Sequence, residues 1–518
     1  MSTERALSGA RFLVGLLMAA FVGCSGGSSF TTDASAPSDT DDSGSTVVVN
    51  PSPRGSMGDA AAGDAAPVNS VPVDAAATDA TIPDAAAAPT CTTGELACDG
   101  GCVPNDSTHC GACGSPCMSP DGGVSSCVAT GGTYQCVVAC GTNTTHCGDA
   151  CVDTQTDRNN CGRCGHACLA GTCTAGSCQS WVVANASASN AGLLVPRAGS
   201  GSVTGGHFDL AADSKNVAWV DQSQGVLQAS ATAGPSAPIV NLAPLQYSTT
   251  STPAFLAMAN GVVAWTVWDV NNGISIYKAT EGTQNSGVAI ASLGATTAGD
   301  VPLGLALDGT AQNAYFLDSF NVSGANPTGL GLYKCDLGAK SCSNVHTAGI
   351  AGELLGDDVA VAGTNLFWTD SSRGDLWRAD YSHNSVSTIE SNQQGPCLLV
   401  VDETYVYWVN VTLGDADAGT SSSFTINRTP QGTPGPITTV VNAMGGILLG
   451  IAIDGAYLYL GGFDATKQYA FLDYVPVDGS AQPQTLKSGQ SAVALAAGGG
   501  AIFWLNSSDN TIDGIAAP

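Results

Sequence analysis

Basic residues are scarce in this chain: 15 Lys and Arg and 6 His among 518 residues, against 43 Asp and Glu, for a net charge of -28. Without a basic cluster the chain cannot neutralise a row of phosphates, which excludes nucleic acid as a partner. Charged residues of all kinds reach only 11%, no window shows sustained helical periodicity, and Gly numbers 65. That is a composition of strands, turns and low-complexity segments. Catalytic signatures are missing too: there is no Gly-x-Ser-x-Gly elbow and no phosphate-binding glycine loop at a strand-to-helix junction. The histidines do not cluster, and His207, His346 and His383 read as isolated surface residues. The acidity is mostly Asp spread over linker and loops, which favours solubility, with cation binding as the competing reading.

What is present is a repeat. Seven related segments pace the C-terminal two thirds: NVAWVD (Asn216 to Asp221), VVAWTV (Val262 to Val267), NAYFLD (Asn313 to Asp318), NLFWTD (Asn365 to Asp370), YVYWVN (Tyr405 to Asn410), YLYLGG (Tyr457 to Gly462) and AIFWLN (Ala501 to Asn506). Their aligned bulky position falls at Trp219, Trp265, Phe316, Trp368, Trp408, Leu460 and Trp504, 40 to 52 residues apart. Self-similarity at that period, in units made of strands, predicts a propeller or solenoid.

Upstream, residues 1 to 24 carry Arg5 and Arg11 ahead of an apolar run from Phe12 to Val22. The run is too short for a mature transmembrane helix and right for the core of a secretory signal. It ends in Phe-Val-Gly-Cys, which resembles the lipobox of bacterial lipoproteins, although Phe21 stands where Leu is usual. The resemblance implies a signal peptide over 1–23, lipidation of Cys24 and a membrane anchor. Ser25 after the cysteine resembles an outer-membrane address. An ordinary signal peptide cut elsewhere is the alternative. Residues 24–90, rich in Ala, Asp, Ser, Thr and Pro and nearly free of aromatics, bury too little apolar surface to order themselves and read as a tether.

Residues 91–178 hold sixteen cysteines in two sets of eight: Cys91, Cys98, Cys102, Cys110, Cys113, Cys117, Cys127 and Cys136, then Cys140, Cys147, Cys151, Cys161, Cys164, Cys168, Cys173 and Cys178. Matching spacings mark an internal duplication. An even count in an exported chain with little core-forming sequence predicts four disulfides per repeat. Zinc is the competing reading, because HCGAC at His109 to Cys113 and CGRCGHAC at Cys161 to Cys168 have ligand-like spacing. The stretch CVDTQTDRNNCGRCGHAC, Cys151 to Cys168, and the shorter, looser CVPNDSTHCGACGSPC, Cys102 to Cys117, resemble the stigma-specific cysteine-rich family. That resemblance implies an extracellular interaction or spacer module with no catalytic residues.

In 179–518 each aromatic segment follows a small apolar strand and precedes a third and a fourth strand, making four-stranded blades. The last unit is one strand short, and WVVANAS, Trp181 to Ser187, can supply it and close the ring. The expected fold is therefore all-β, a seven-bladed β-propeller behind a tether and two disulfide-rich repeats; six or eight blades follow if Leu460 or Trp265 is misassigned. FWTD at Phe367 to Asp370, its sisters FLD, YWVN and FWLN, and LYK, LWR and INR on the third strands resemble the YWTD propellers of low-density-lipoprotein-receptor relatives. There the repeated positions, here Trp219, Trp265, Phe316, Trp368, Asp370, Trp408, Asn410, Trp504 and Asn506, are structural, and the resemblance implies that second-strand Asp and Asn tie blades together.

The innermost strands are apolar, which argues against an enzyme. No catalytic or metal-binding residue is assigned, and no cofactor is expected beyond the lipid on Cys24. Asp213, Asp308, Asp402 and Asp454 at strand ends shape turns, with calcium as the alternative. Cys335 and Cys342 flank a hairpin suited to a local disulfide, and Cys397, left without a partner, reads as a small buried thiol. The binding candidate is a polar groove over blades three to five, between the loops Ser319 to Gly329 and Val411 to Ser423 and beside Ser371 to Gly374. The expected function is a surface-anchored lipoprotein whose propeller binds an envelope protein or glycan. A propeller hydrolase or lyase acting on envelope polysaccharide or peptide, and a structural spacer, are the alternatives.

Overall fold

The computed structural model describes residues 90–99, 101–185, 210–221, 225–232, 238–244, 251–269, 273–293, 301–320, 329–349, 358–380, 385–412, 422–432, 435–464, 469–490, 492–506, 508–509 and 511–518. The signal, Cys24 and the tether lie outside them, as do His207 and His383. The chain divides into two compact units. One holds the first cysteine repeat, up to Met118 and over Ser125–Val137; the other holds Ser119–Val124 and Val138–Pro518, which joins the second repeat to the propeller.

The propeller has seven four-stranded antiparallel sheets. They span 210–244, 251–293, 301–349, 359–390, 396–445 and 447–488, then a seventh blade, 492–516, whose outer strand is Trp181–Asn185. That strand pairs with Thr511–Ala516, Thr511 opposite Asn185 and Gly514 opposite Trp181, so the N-terminal strand closes the ring. The upper face carries the loops between second and third strands and the connections between blades. The lower face carries the tight turns between first and second strands and the hairpins between third and fourth.

The second strands read as unbroken apolar runs because blades bury both faces. Phe367 and Trp368, adjacent in NLFWTD, point into different seams: Trp368 packs with Tyr315 and Leu317 of blade three, and Phe367 with Val406 and Trp408 of blade five. The same rule holds round the ring. Tyr407 meets Leu460, Tyr459 meets Trp504, Phe503 meets Trp219, Ala218 meets Trp265, and Ala264 meets Phe316. The hydrophobic core is thus seven inter-blade seams, each joining the residue before the repeat position of one blade to the repeat position of the next. Burying an aromatic of this kind contributes about 2–3 kcal/mol.

Both cysteine repeats are disulfide-bonded with one connectivity: first to third, second to fifth, fourth to seventh, sixth to eighth. The bonds are Cys91–Cys102, Cys98–Cys113, Cys110–Cys127 and Cys117–Cys136, then Cys140–Cys151, Cys147–Cys164, Cys161–Cys173 and Cys168–Cys178. No thiolate is left in either repeat for zinc. Cys335 and Cys342 are directly paired across blade three's outer hairpin and bonded to each other. Cys397 is fully buried in the seam between blades five and six.

Candidate functional site

Polar side chains concentrate at the upper ends of the second strands. Asp370, 1% exposed, accepts hydrogen bonds from Ser372 Oγ at 2.6 Å and the Arg373 amide at 3.2 Å, and its carboxylate lies 3.6 Å from Arg373 Nε. Burial raises its pKa against the pull of Ser372 and Arg373. In blade five Asn410 Nδ2 donates to Gln393 Oε1 at 2.9 Å, and Trp408 Nε1 donates to Gln393 Oε1 and Asn410 Oδ1 at 3.2 and 3.0 Å. Blade seven repeats the arrangement: Trp504 Nε1 and Asn506 Nδ2 donate to Gln490 Oε1 at 3.3 and 3.1 Å. Asn506 Nδ2 also reaches Asp513 Oδ2 at 3.1 Å, and burial raises Asp513 despite that bond and Thr511.

The described hydrogen bonds of Asp370 stay within blade four, whereas Asn410 and Asn506 bond Gln393 and Gln490 on the connections that enter their blades, and Gln393 donates its amide to the Gly374 carbonyl of blade four at 2.8 Å. Two members of the ring were missed: in blades two and six the second strand runs two residues further and ends in buried Asp269 and Asp464. The aligned positions there, Val267 and Gly462, gave no signal. Gln393 and Gln490, fifteen and fourteen residues before their tryptophans, were a legible signal that went unused.

A set of inter-blade ties lies on the lower face and starts from the third strands. Lys278 Nζ donates to the Leu337 carbonyl at 2.9 Å, Arg378 Nη1 to the Gly432 carbonyl at 2.5 Å, and Arg428 Nη1 to the Val477 carbonyl at 2.8 Å. Gln228 Oε1 accepts from the Gly282 amide at 2.7 Å. All four sit opposite the residue before the repeat position, at Ala264, Phe367, Tyr407 and Ala218. Each reaches the lower turn of the next blade.

The strand-end aspartates of the lower face behave as turn residues. Asp213 Oδ1 accepts from the Lys215 and Asn216 amides at 2.7 Å each. Asp402 Oδ1 accepts from the Thr404 and Tyr405 amides at 2.7 Å each, and its Oδ2 takes the Tyr407 hydroxyl at 2.7 Å. Burial would raise Asp308, but bonds from Asn313, Thr310 and the Gln312 amide outweigh it and hold the carboxyl low. Asp454 has its pKa raised by burial.

His346 is not the surface residue expected. It lies half-buried on blade three's outer strand with ring centroids 5.7 Å from Trp368 and 5.3 Å from Trp377, and burial, then the Arg373 charge, depress its pKa. Of the proposed groove, the loop at Ser371 to Gly374 is described, whereas 321–328 and 413–421 lie outside the described residues. The described first strands are apolar along their length, with acids only at their ends. Asp358, ahead of Val359–Ala362, accepts from the Leu399 amide of blade five at 3.1 Å, and Asp454 ends blade six's inner strand.

No protein-family profile matches the chain, and no curated protein matches it. Solved structures similar to it include a nidogen/laminin complex, 15% identical, covering 49% of this chain and 89% of that one with a TM-score of 0.35. An oligogalacturonate lyase in complex with manganese is 9% identical over 58% of this chain and 83% of that one, with a TM-score of 0.39. TolB from Acinetobacter baumannii is 10% identical over 60% and 65%, with a TM-score of 0.37.

Proposed function

We propose that this chain is an exported lipoprotein, anchored in the bacterial envelope through Cys24, whose propeller is a non-catalytic module binding an envelope protein or glycan on its upper face. The observation that carries this reading is the division of labour between the two faces. The lower face is committed to holding the ring together: third-strand cations reach the next blade's turn carbonyls, aspartates close the turns, and the second disulfide knot sits beneath blade seven. There, Leu169 and Ala170 of the knot pack against the cluster that includes Trp181, Val183 and Phe503. The chain enters the propeller from that side, through the second disulfide knot. Loops on a rigid scaffold are where recognition residues are usually carried.

The apolar inner strands support the non-catalytic part, since acids and metal ligands of a propeller enzyme would have to converge there. Three measurements test the reading. Cys24→Ser should move the protein from the membrane fraction to the soluble fraction. The metal content of the purified protein, with its melting temperature before and after chelation, separates the enzyme alternative: a stoichiometric divalent ion whose removal lowers the melting temperature overturns the non-catalytic assignment. Replacing 413–421 by a short Gly-Ser linker should abolish capture of envelope protein or glycan, and unchanged capture sinks the upper-face site.

A further inference from the structure

Among the described residues, one lower-face latch position is met from outside the ring. Leu337, Val477 and Ala517 are equivalent: each follows a third strand, and each donates its amide to the residue just before the second strand, Gln312, Ala456 and Gly500, at 2.9 Å. The carbonyls of the first two are capped by cations of the preceding blades, Lys278 and Arg428. Blade seven should receive its cap from blade six. The residue there is Tyr474, opposite Tyr459, and its hydroxyl donates to Gln484 Oε1 at 2.8 Å within its own blade. The Ala517 carbonyl is met instead by the second disulfide knot, whose His166 Nε2 lies 2.8 Å from it.

His166 has a second carbonyl on its other side, with Nδ1 2.6 Å from the Cys161 oxygen. The loop that presents it is fixed by the Cys161 amide donating to the His166 carbonyl at 2.8 Å, and by the disulfides Cys161–Cys173 and Cys168–Cys178. A carbonyl oxygen only accepts. A neutral imidazole has one N–H and one lone pair, so it can satisfy one of the two carbonyls and must turn a lone pair on the other. The imidazolium donates from both nitrogens.

We propose that His166 in its protonated form is the missing latch of blade seven, so that the clasp between the second disulfide knot and the closing blade depends on a proton while the other latches do not. This goes beyond the binding reading and stands or falls independently of it. Arg158 and Arg163 are charged residues of the same loop, their carbonyls accepting the Cys168 and His166 amides, and Asp213 lies on the turn of blade one that packs against Gly498 of blade seven. Among the described residues no carboxylate lies within ion-pair distance of His166, so both of its hydrogen bonds go to neutral acceptors. Losing the proton removes one of them and leaves the knot held by Leu169 and Ala170.

The test compares the full exported chain with His166→Phe and His166→Lys. The melting temperature of the wild type should exceed that of His166→Phe at pH 5.5, with the gap shrinking by pH 8. His166→Lys, which supplies a permanent cation, should show no such loss across that range. Equal gaps at pH 5.5 and pH 8 overturn the proposal. Should His166→Phe fail to fold, nitrogen-15 NMR of the wild-type imidazole decides: protons on both nitrogens at pH 5.5 support the clasp, and a single protonated nitrogen overturns it.

Discussion

Lys278 of blade two and the Leu337 carbonyl of blade three, joined at 2.9 Å, belong to different sheets, and the bond between them ties one blade to the next at the lower end of the seam that holds Ala264 and Leu337. Arg428 makes the same tie from blade five to Val477, and its guanidinium lies 4.3 Å from the centre of the Tyr405 ring. A hydrogen bond from a charged donor contributes about 1.5–3 kcal/mol. Arg428→Ala should therefore lower the unfolding free energy by about 2–3 kcal/mol, because the ring contact goes with the hydrogen bond. Lys278→Met, which keeps the aliphatic stem, should cost about 1.5–2 kcal/mol. Urea denaturation followed by tryptophan fluorescence measures both, and losses below about 0.5 kcal/mol would remove the latches from the account of stability.

The buried acid of blade seven gives a pH dependence of defined sign. Asp513 has its native pKa raised by burial, while in the unfolded chain a carboxyl titrates near its ordinary value, roughly 3.9. The native state therefore holds a proton that the unfolded chain has released, and stability falls as pH climbs from about 4 through the raised native value. Asp513→Asn keeps an acceptor for Asn506 Nδ2 and removes the titration. Its melting temperature should match or exceed that of the wild type at pH 7, with the two curves converging near pH 4. A variant less stable at pH 7 than at pH 4, relative to wild type, would contradict this sign.

The architecture was legible because a propeller repeats its instructions. Seven strand pairs, six with an aromatic and one with Leu460 at the same register position, announce seven blades, and WVVANAS announces the closing strand. Residues whose role comes from a neighbouring blade were harder to read. Lys334, Arg378 and Arg428, in LYK, LWR and INR, were visible as a recurring third-strand cation, and Lys278 shares their register, but the targets of Lys278, Arg378 and Arg428 are carbonyls, which the sequence does not distinguish. Asp269 and Asp464 were hidden by two-residue extensions of their strands. His346 read as a surface residue because its burial comes from Trp368 and Trp377 in the next blade. His166, in a motif spaced like a zinc site, lies instead with Nε2 2.8 Å from a carbonyl 351 residues away.

The hairpin disulfide of blade three closes a loop of seven residues between Cys335 and Cys342. Chain-entropy arguments assign a loop that short about 2 kcal/mol. Replacing both cysteines by Ala should lower the unfolding free energy by about that amount and leave the fold intact, since Cys335 is buried in a seam that also holds Phe316 and Leu337. Circular dichroism at 25 °C should be unchanged, with the denaturation midpoint shifted. Loss of the native spectrum would mean that the bond directs the fold.

Two threonines that follow the repeat position, Thr266 and Thr369, fix the inner strands of their blades, Thr266 at the bulge between Pro253 and Leu256 and Thr369 at the residue that precedes Val359. Thr266 Oγ1 accepts from the Phe255 amide and Thr369 Oγ1 from the Asp358 amide, each at 3.0 Å, and both threonines are wholly buried. Replacing either by Val keeps the shape and leaves a buried amide without its acceptor, which costs about 1–3 kcal/mol. The two sites should not be equal. Asp358 passes the constraint on, because its Oδ2 accepts from the Leu399 amide of blade five, beside Leu398 with its φ of 44°. Blade five has Val409 where the threonine would be, so its bulge depends on the carboxylate of blade four. Thr369→Val should therefore cost about 2–3 kcal/mol and raise hydrogen exchange at Leu399, and Thr266→Val about 1–2 kcal/mol with exchange in blade three unchanged. Equal losses, with Leu399 still protected, would show that Asp358 is placed by its own strand and not by Thr369.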